Sequence, residues 1–266
     1  MTNPDRRRPN TFLLYSLTAF GVMLALFLSV PLLSLVATSL RAPDVRGLTL
    51  ANFRTLFQQD VFMQGLSNSV TLSFWSSAIA MAVGLVCAYA LTRLGAEGTQ
   101  RRLMLVLNMA ANFNGLSLAL SFLLMLGGSG VLWTLLERLG VARTTLSGHV
   151  RMVLCYTYFQ IPMAVLLLYP VYCGIRRDWR EASMMLGAYG RDFWLRVGIP
   201  AILPSLFSTF TILFAHAMGA YAAAYQLAAA DYPLAPLQIG VLMTGGSQAQ
   251  SGLGSALAVL LSAALV

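Results

Sequence analysis

Acidic and basic side chains are concentrated in one segment of the chain, 175–200, which carries a recognisable helix-start pattern. Asp178 precedes Glu181 by three positions, which is a D-x-x-E variant of the helix capping box. The pattern predicts a helix that has Asp178 as its N-cap, begins at Trp179 and is stopped by a left-handed Gly187. A helix this short is not stable alone in water, so it predicts docking against a partner surface.

The side chains on and around this helix also suit docking. Ala182 and Ser183 are small and would permit close approach of another protein. Three arginines flank the start of the helix, and they could pair with acidic groups on a partner: Arg176, Arg177 and Arg180.

Several chemistries are excluded by composition. All 17 basic residues are arginines, and a phosphate-binding P-loop requires a lysine, so this chain cannot carry that motif. The 3 cysteines form no C-x-x-C pair and the 2 histidines form no H-E-x-x-H motif, so neither a catalytic nor a metal site is predicted. The net charge of +8 comes from scattered arginines rather than a patch, which argues against nucleic-acid binding.

The elements that must position the basic segment are membrane helices. Hydrophobic residues make up 58% of the chain and charged residues 10%, far below the roughly 25% charged residues of soluble proteins. The composition therefore predicts an all-α, polytopic transmembrane bundle of about six spans. The spans are expected at 11–40, 66–91, 103–126, 152–174, 201–228 and 254–266. The last is expected to be incomplete, because its length as a helix is about 20 Å against a hydrocarbon core of about 30 Å.

Arginine distribution predicts the orientation. A cytoplasmic N-terminal tail, 1–10, puts eleven arginines inside and six outside. This asymmetry follows the positive-inside rule and makes 175–200 a cytoplasmic loop.

Polar residues within the predicted spans are candidates for a solute path, since polar groups are costly in a membrane. They are Asn108, Asn112, Gln160, Thr209 and His216. The alternative is hydrogen bonding between helices, which such residues provide routinely, and the sequence leaves both interpretations open.

One family resemblance follows from the basic segment. Glu181-Ala182-Ser183, then Gly187, then Val197-Gly198-Ile199-Pro200 resembles the EAA loop of bacterial ABC importer permeases, E-A-A, three residues, G, nine residues, I-x-L-P. The nine intervening positions are 188–196, so the spacing is kept, while Ser183 replaces an alanine. Within that family the chain looks most similar to permeases for polyamines, ferric iron, thiamine and phosphonates.

The resemblance implies a type I ABC importer permease, with residues 11–266 as the permease domain in the bacterial inner membrane. The short helix would dock on a separate subunit that binds ATP and Mg²⁺. A second permease copy or paralogue would complete the path, and an extracytoplasmic binding protein would deliver a small charged solute. Two alternatives stay open: an ion-coupled secondary transporter, which usually needs an intramembrane carboxylate that is missing here, and a non-transporting assembly subunit.

Overall fold

The computed structural model describes residues 11–41, 48–94, 97–112, 116–126, 130–132, 134, 148–188, 190–227 and 232–264. Within these ranges the secondary structure is helical, apart from an isolated antiparallel bridge between Arg41 and Leu48. The all-α prediction is therefore confirmed. The predicted cytoplasmic tail, 1–10, lies outside the described residues.

The helices follow the apolar runs of the sequence. Four of them are long: α1 (Thr11–Ser39), α3 (Asp60–Arg93), α6 (Gly148–Cys173) and α8 (Arg191–Met218). The shorter ones are α2 (Ala51–Gln58), α4 (Glu97–Asn112), α5 (Leu116–Leu126), α7 (Arg177–Met185), α9 (Tyr221–Leu227), α10 (Ala235–Thr244) and α11 (Gln248–Ala263). We call α7 the docking helix, after the docking role that the sequence predicts for this segment.

The described helices that are long and apolar enough to cross a membrane number four, or five if the bent pair α4 and α5 forms one span. These two helices are bent by 89° relative to each other, so the predicted span 103–126 requires both of them together and stays a prediction. The predicted span 201–228 is wrong at its end, because α8 stops at Met218 and the chain resumes as α9. The expected count of six stays a prediction.

The last helix begins earlier than the sequence indicated. It starts at Gln248 rather than 254, because the Ser247 hydroxyl caps it by accepting a hydrogen bond from the Gln250 N–H at 3.2 Å. Its 16 residues extend about 24 Å at 1.5 Å per residue.

The centre of the bundle is the pair α3 and α6, which pack on each other more extensively than any other described pair. Their approach is close enough that a Cβ on Gly84 would lie 2.7 Å from the Cβ of Ala164. Such contact of small residues is how helices associate in a membrane, where apolar burial gives no advantage over lipid. The α4, α8 and α10 helices pack around this pair.

A buried asparagine fixes the end of α1. The Asn52 side-chain amide donates to the carbonyls of Ser39 and Arg41, at 2.9 and 2.8 Å. Gly252 of α11 lies against the same amide, since a Cβ there would be 2.9 Å from Asn52 Nδ2. Asn52 thus satisfies otherwise open carbonyls at a helix terminus and joins α1, α2 and α11.

Candidate functional site in the basic loop and a cavity at a helix break

The docking helix begins two residues earlier than predicted. It runs from Arg177, with Arg176 as N-cap, and no side chain caps its first turn. The predicted capping role of Asp178 is therefore wrong. The Asp178 carboxylate pairs instead with the Arg176 guanidinium, and the N–H of Trp179 bonds to the Arg176 carbonyl at 3.2 Å.

The other end of the docking helix is as predicted. Gly187 has φ +79°, in the left-handed region. Its N–H donates to the Met184 carbonyl at 3.0 Å, and the Ala188 N–H donates to the Ser183 carbonyl at 2.9 Å. These two bonds form a Schellman motif. The motif requires one residue in the left-handed conformation, which glycine adopts without steric cost.

The exposure of the docking helix divides its residues into two groups. Ser183 is 6% exposed, and its hydroxyl donates to the Arg180 carbonyl at 2.8 Å, so it faces this chain rather than a partner. Glu181 and Ala182 are exposed, as are the arginines at 176 and 180. At the C-terminal end Met185 and Leu186 are 90% and 87% exposed. The helix therefore presents an apolar tip beside charged groups.

A separate feature lies at the break between α8 and α9. A cavity of about 450 Å³ is lined there by Phe159, His216, Gly219 and Tyr221, among others. The α8 helix ends at Met218 and α9 begins at Tyr221, and between them the Ala220 carbonyl accepts a hydrogen bond from the Tyr156 hydroxyl at 2.9 Å. A broken helix at a cavity leaves backbone polar groups available, as in the binding sites of membrane transporters.

The histidine of this cavity has an unused polar atom. His216 Nδ1 is buried and has no hydrogen-bond partner among the described residues. Its ring meets the Phe159 ring edge-on, with centroids 5.5 Å apart and planes at 76°. The lining thus combines an imidazole that has one unsatisfied nitrogen with an aromatic ring.

The comparisons with known proteins agree with one another. No family model matches the sequence. The trehalose transport permease SugB of Mycobacterium tuberculosis is 26% identical over 208 residues, covering 78% of this chain and 70% of that protein. The spermidine/putrescine transport permease PotC of Haemophilus influenzae is 24% identical, covering 93% and 92%.

A solved structure shows the same fold. The bacterial alginate ABC transporter in complex with an alginate-bound periplasmic protein superimposes with a TM-score of 0.72, at 17% identity, over 96% of this chain and 90% of that one. The chain is therefore similar in sequence to permease subunits of transport systems, and it has the fold of an ABC importer structure, as predicted from the 175–200 segment. Four of its described helices are long and apolar enough to cross a membrane.

The fold brings few of the predicted pathway residues to the cavity. His216 lines it, whereas the other four are missing from its described lining. Asn108 and Asn112 are exposed on α4, and their amides donate to carbonyls of their own helix at 3.3 and 2.8 Å. Thr209 is 4% exposed within α8.

Gln160 fits the alternative interpretation. It is fully buried, accepts a hydrogen bond from the Ser77 hydroxyl at 2.8 Å and donates to the Ser76 hydroxyl at 3.0 Å. Both ends of the amide are thus used to join α3 to α6, and neither is free for a solute.

Sequence reasoning missed one group near the docking helix. Trp194 packs against Tyr89 of α3 and Tyr172 of α6, with ring centroids 5.6 and 6.0 Å away. The available signal was the aromatic pair Phe193-Trp194 ahead of Gly198, inside the family-like spacing. Nothing in the sequence indicates which helices the tryptophan meets.

Proposed function

We propose that this chain is the permease subunit of an ATP-driven importer, and that it binds a separate ATPase subunit through the 175–200 loop. The observation that carries the proposal is the exposed apolar tip of the docking helix, Met185 and Leu186. Neighbouring exposed methionine and leucine side chains on a charged loop are costly in water and typical of a surface that a partner covers. ATP and Mg²⁺ would bind to that partner.

The charges around the tip support the same partner surface. Arg176 and Arg180 are exposed beside Glu181, and Arg177 is at the start of the helix. Arginine suits ion pairs at interfaces because its guanidinium binds carboxylates in a fixed geometry. In this arrangement Ala182 and the apolar tip meet the ATPase, while Ser183, Gly187 and Pro200 shape the loop. The N-terminus is then cytoplasmic and the membrane is the bacterial inner membrane, in keeping with the arginine distribution.

Two further partners belong to the proposal. Residues 15–34 of α1 are exposed, which leaves room for lipid and for a second permease copy or paralogue. An extracytoplasmic binding protein is supported by the alginate importer structure, which contains a periplasmic protein bound to an alginate pentasaccharide.

The solute path is proposed to include the cavity at the α8–α9 break, with His216 as the contact from the predicted set. The solute is proposed to be small and charged, as the resemblance to permeases for polyamines, iron, thiamine and phosphonates implies. The alignment with the spermidine/putrescine permease, over 93% of the chain, supports this choice. Binding measurements on the partner binding protein test it: affinity for neutral sugars alone would contradict it.

The coupling role is tested by placing a charge on the apolar tip. The complete importer is reconstituted in lipid vesicles with Leu186→Asp, and with Leu48→Asp as the matched control, since Leu48 is 75% exposed and lies outside the 175–200 loop. We expect Leu186→Asp to abolish ATPase binding and solute uptake while the permease stays in the membrane, and the control to resemble wild type. Wild-type ATPase binding by Leu186→Asp would contradict the proposal.

A further inference from the structure

The helix that follows the docking helix does not begin as a regular α-helix. After the residues Arg191–Phe193, the chain makes a π-helical turn, Trp194–Gly198, and becomes α-helical from Ile199 onward. A π-turn adds a residue to one helical turn and changes the direction of the side chains around it, and such turns are frequent at functional sites.

The π-turn places the Trp194 ring between two membrane helices. The ring is edge-on to Tyr89 of α3, with centroids 5.6 Å apart and planes at 81°, and to Tyr172 of α6, at 6.0 Å and 74°. The two tyrosines also contact each other, at 5.8 Å. Edge-to-face packing of this kind favours one relative orientation of the rings over others, so the three rings form a defined joint.

The joint is fixed on both sides. The Arg93 guanidinium lies 5.1 Å from the centroid of the Tyr89 ring and donates to its hydroxyl at 2.6 and 3.1 Å. On the other side is Gly198, where a Cβ would lie 2.6 Å from the Trp194 ring. Any side chain at position 198 would therefore displace the indole of Trp194. The close packing of this ring explains why the position is occupied by glycine.

The joint is also continuous with the docking helix. That helix packs against the Arg191–Phe193 segment, and Phe193 is 4% exposed with its ring 5.7 Å from Trp194. The contacts therefore run from the docking helix to the Arg191–Phe193 segment, which leads directly into Trp194, and from Trp194 to both α3 and α6. The α3 and α6 helices form the centre of the bundle. A displacement of the docking helix would therefore be transmitted to the centre of the bundle through the Trp194 ring.

We propose that Trp194, held by Gly198 against Tyr89 and Tyr172, is the positioning residue that transmits movement of the docking helix to α3 and α6. The proposal rests on the proposed function, because it takes the docking helix to be moved by an ATPase subunit. It concerns coupling and not binding: Trp194 is needed for ATP hydrolysis to drive uptake, while the exposed tip of the docking helix holds the ATPase.

The test measures three quantities on the reconstituted importer: affinity for the ATPase subunit, rate of ATP hydrolysis, and solute taken up per ATP hydrolysed. The variants are Trp194→Ala, Trp194→Phe and Gly198→Ala, with Leu195→Ala as control because Leu195 lies in the same π-turn and is 53% exposed. We expect Trp194→Ala and Gly198→Ala to keep ATPase affinity and lower uptake per ATP by roughly 2- to 30-fold, the range found for residues in coupled networks. Trp194→Phe should keep most of the coupling, and the control should match wild type.

Three outcomes would overturn the proposal. The first is wild-type uptake per ATP in Trp194→Ala, or in Gly198→Ala if the tryptophan variant does not accumulate in membranes. The second is loss of ATPase affinity as large as in Leu186→Asp, which would make the ring part of the binding surface. The third is a Trp194→Phe variant as uncoupled as Trp194→Ala. Failure of the wild-type permease to bind any ATPase subunit would instead refute the proposed function, and this inference with it.

Discussion

Gly187 lies at the C-terminal end of the docking helix, and the free-energy cost of substituting it can be worked out from its backbone conformation. Gly187 has φ +79°, and no described atom lies within 4 Å of the position that a Cβ would take. A Gly187→Val substitution is therefore not opposed by a clash, and its cost is the left-handed conformation itself, about 1–2 kcal/mol for a residue with a side chain.

This cost should change the population of the docking-competent loop. The docking helix has 9 residues and packs mainly on the segment that follows it, so other arrangements of the loop are near in free energy. A penalty of 1–2 kcal/mol then lowers the affinity for the ATPase subunit by roughly 5- to 30-fold. Asparagine tolerates the left-handed region better, so Gly187→Asn should weaken binding less than Gly187→Val.

The assay is the affinity of purified ATPase subunit for the permease in nanodiscs, with membrane accumulation measured in parallel. Gly98→Ala is the matched control, because its Cβ would also meet no described atom within 4 Å and Gly98 lies in a helix, not at positive φ. The control should bind as wild type. Wild-type affinity in Gly187→Val, or equal losses for the valine and asparagine variants, would refute the conformational argument.

Three further perturbations test the bundle and the cavity. Gln160→Leu removes two hydrogen bonds between α3 and α6, at 2.8 and 3.0 Å. The free energy of unfolding in detergent should therefore fall by about 1–3 kcal/mol. An unchanged Tm would contradict this prediction. Gly84→Val should force α3 and α6 apart, because a Cβ at position 84 would lie 2.7 Å from the Cβ of Ala164. The expected cost in stability is about 1–3 kcal/mol. If that contact is the cause, adding Ala164→Gly to the same chain should restore part of the Tm. His216→Ala should lower solute uptake without changing ATPase affinity, since His216 lines the cavity and lies outside the 175–200 loop; wild-type uptake would remove His216 from the path.

The sequence alone was sufficient where the cause is local or compositional. A chain with 10% charged residues cannot cover a water-soluble surface, so an all-helical membrane fold followed from composition. The left-handed stop at Gly187 followed from residue type and position, because few other residues adopt that conformation at low cost. The family-like spacing of the basic loop likewise needed no tertiary information.

Local reasoning failed where two interactions compete for one group. Asp178 has the type and spacing of an N-cap, yet its carboxylate pairs with Arg176 and the helix starts at Arg177. The predicted span 201–228 failed in a similar way. Its composition is apolar throughout, but α8 ends at Met218, where the Ala220 carbonyl is bonded to Tyr156 of another helix.

Tertiary structure decided which polar and aromatic residues share a site. Gln160 and His216 looked alike in sequence, as polar residues within apolar runs, but Gln160 is bonded to two serines of α3 while His216 keeps an unpaired nitrogen at a cavity. Trp194 meets Tyr89, which is 194 − 89 = 105 positions away. Helical periodicity reports which side chains share a face of one helix, whereas the pairing of faces between helices depends on how the whole bundle packs.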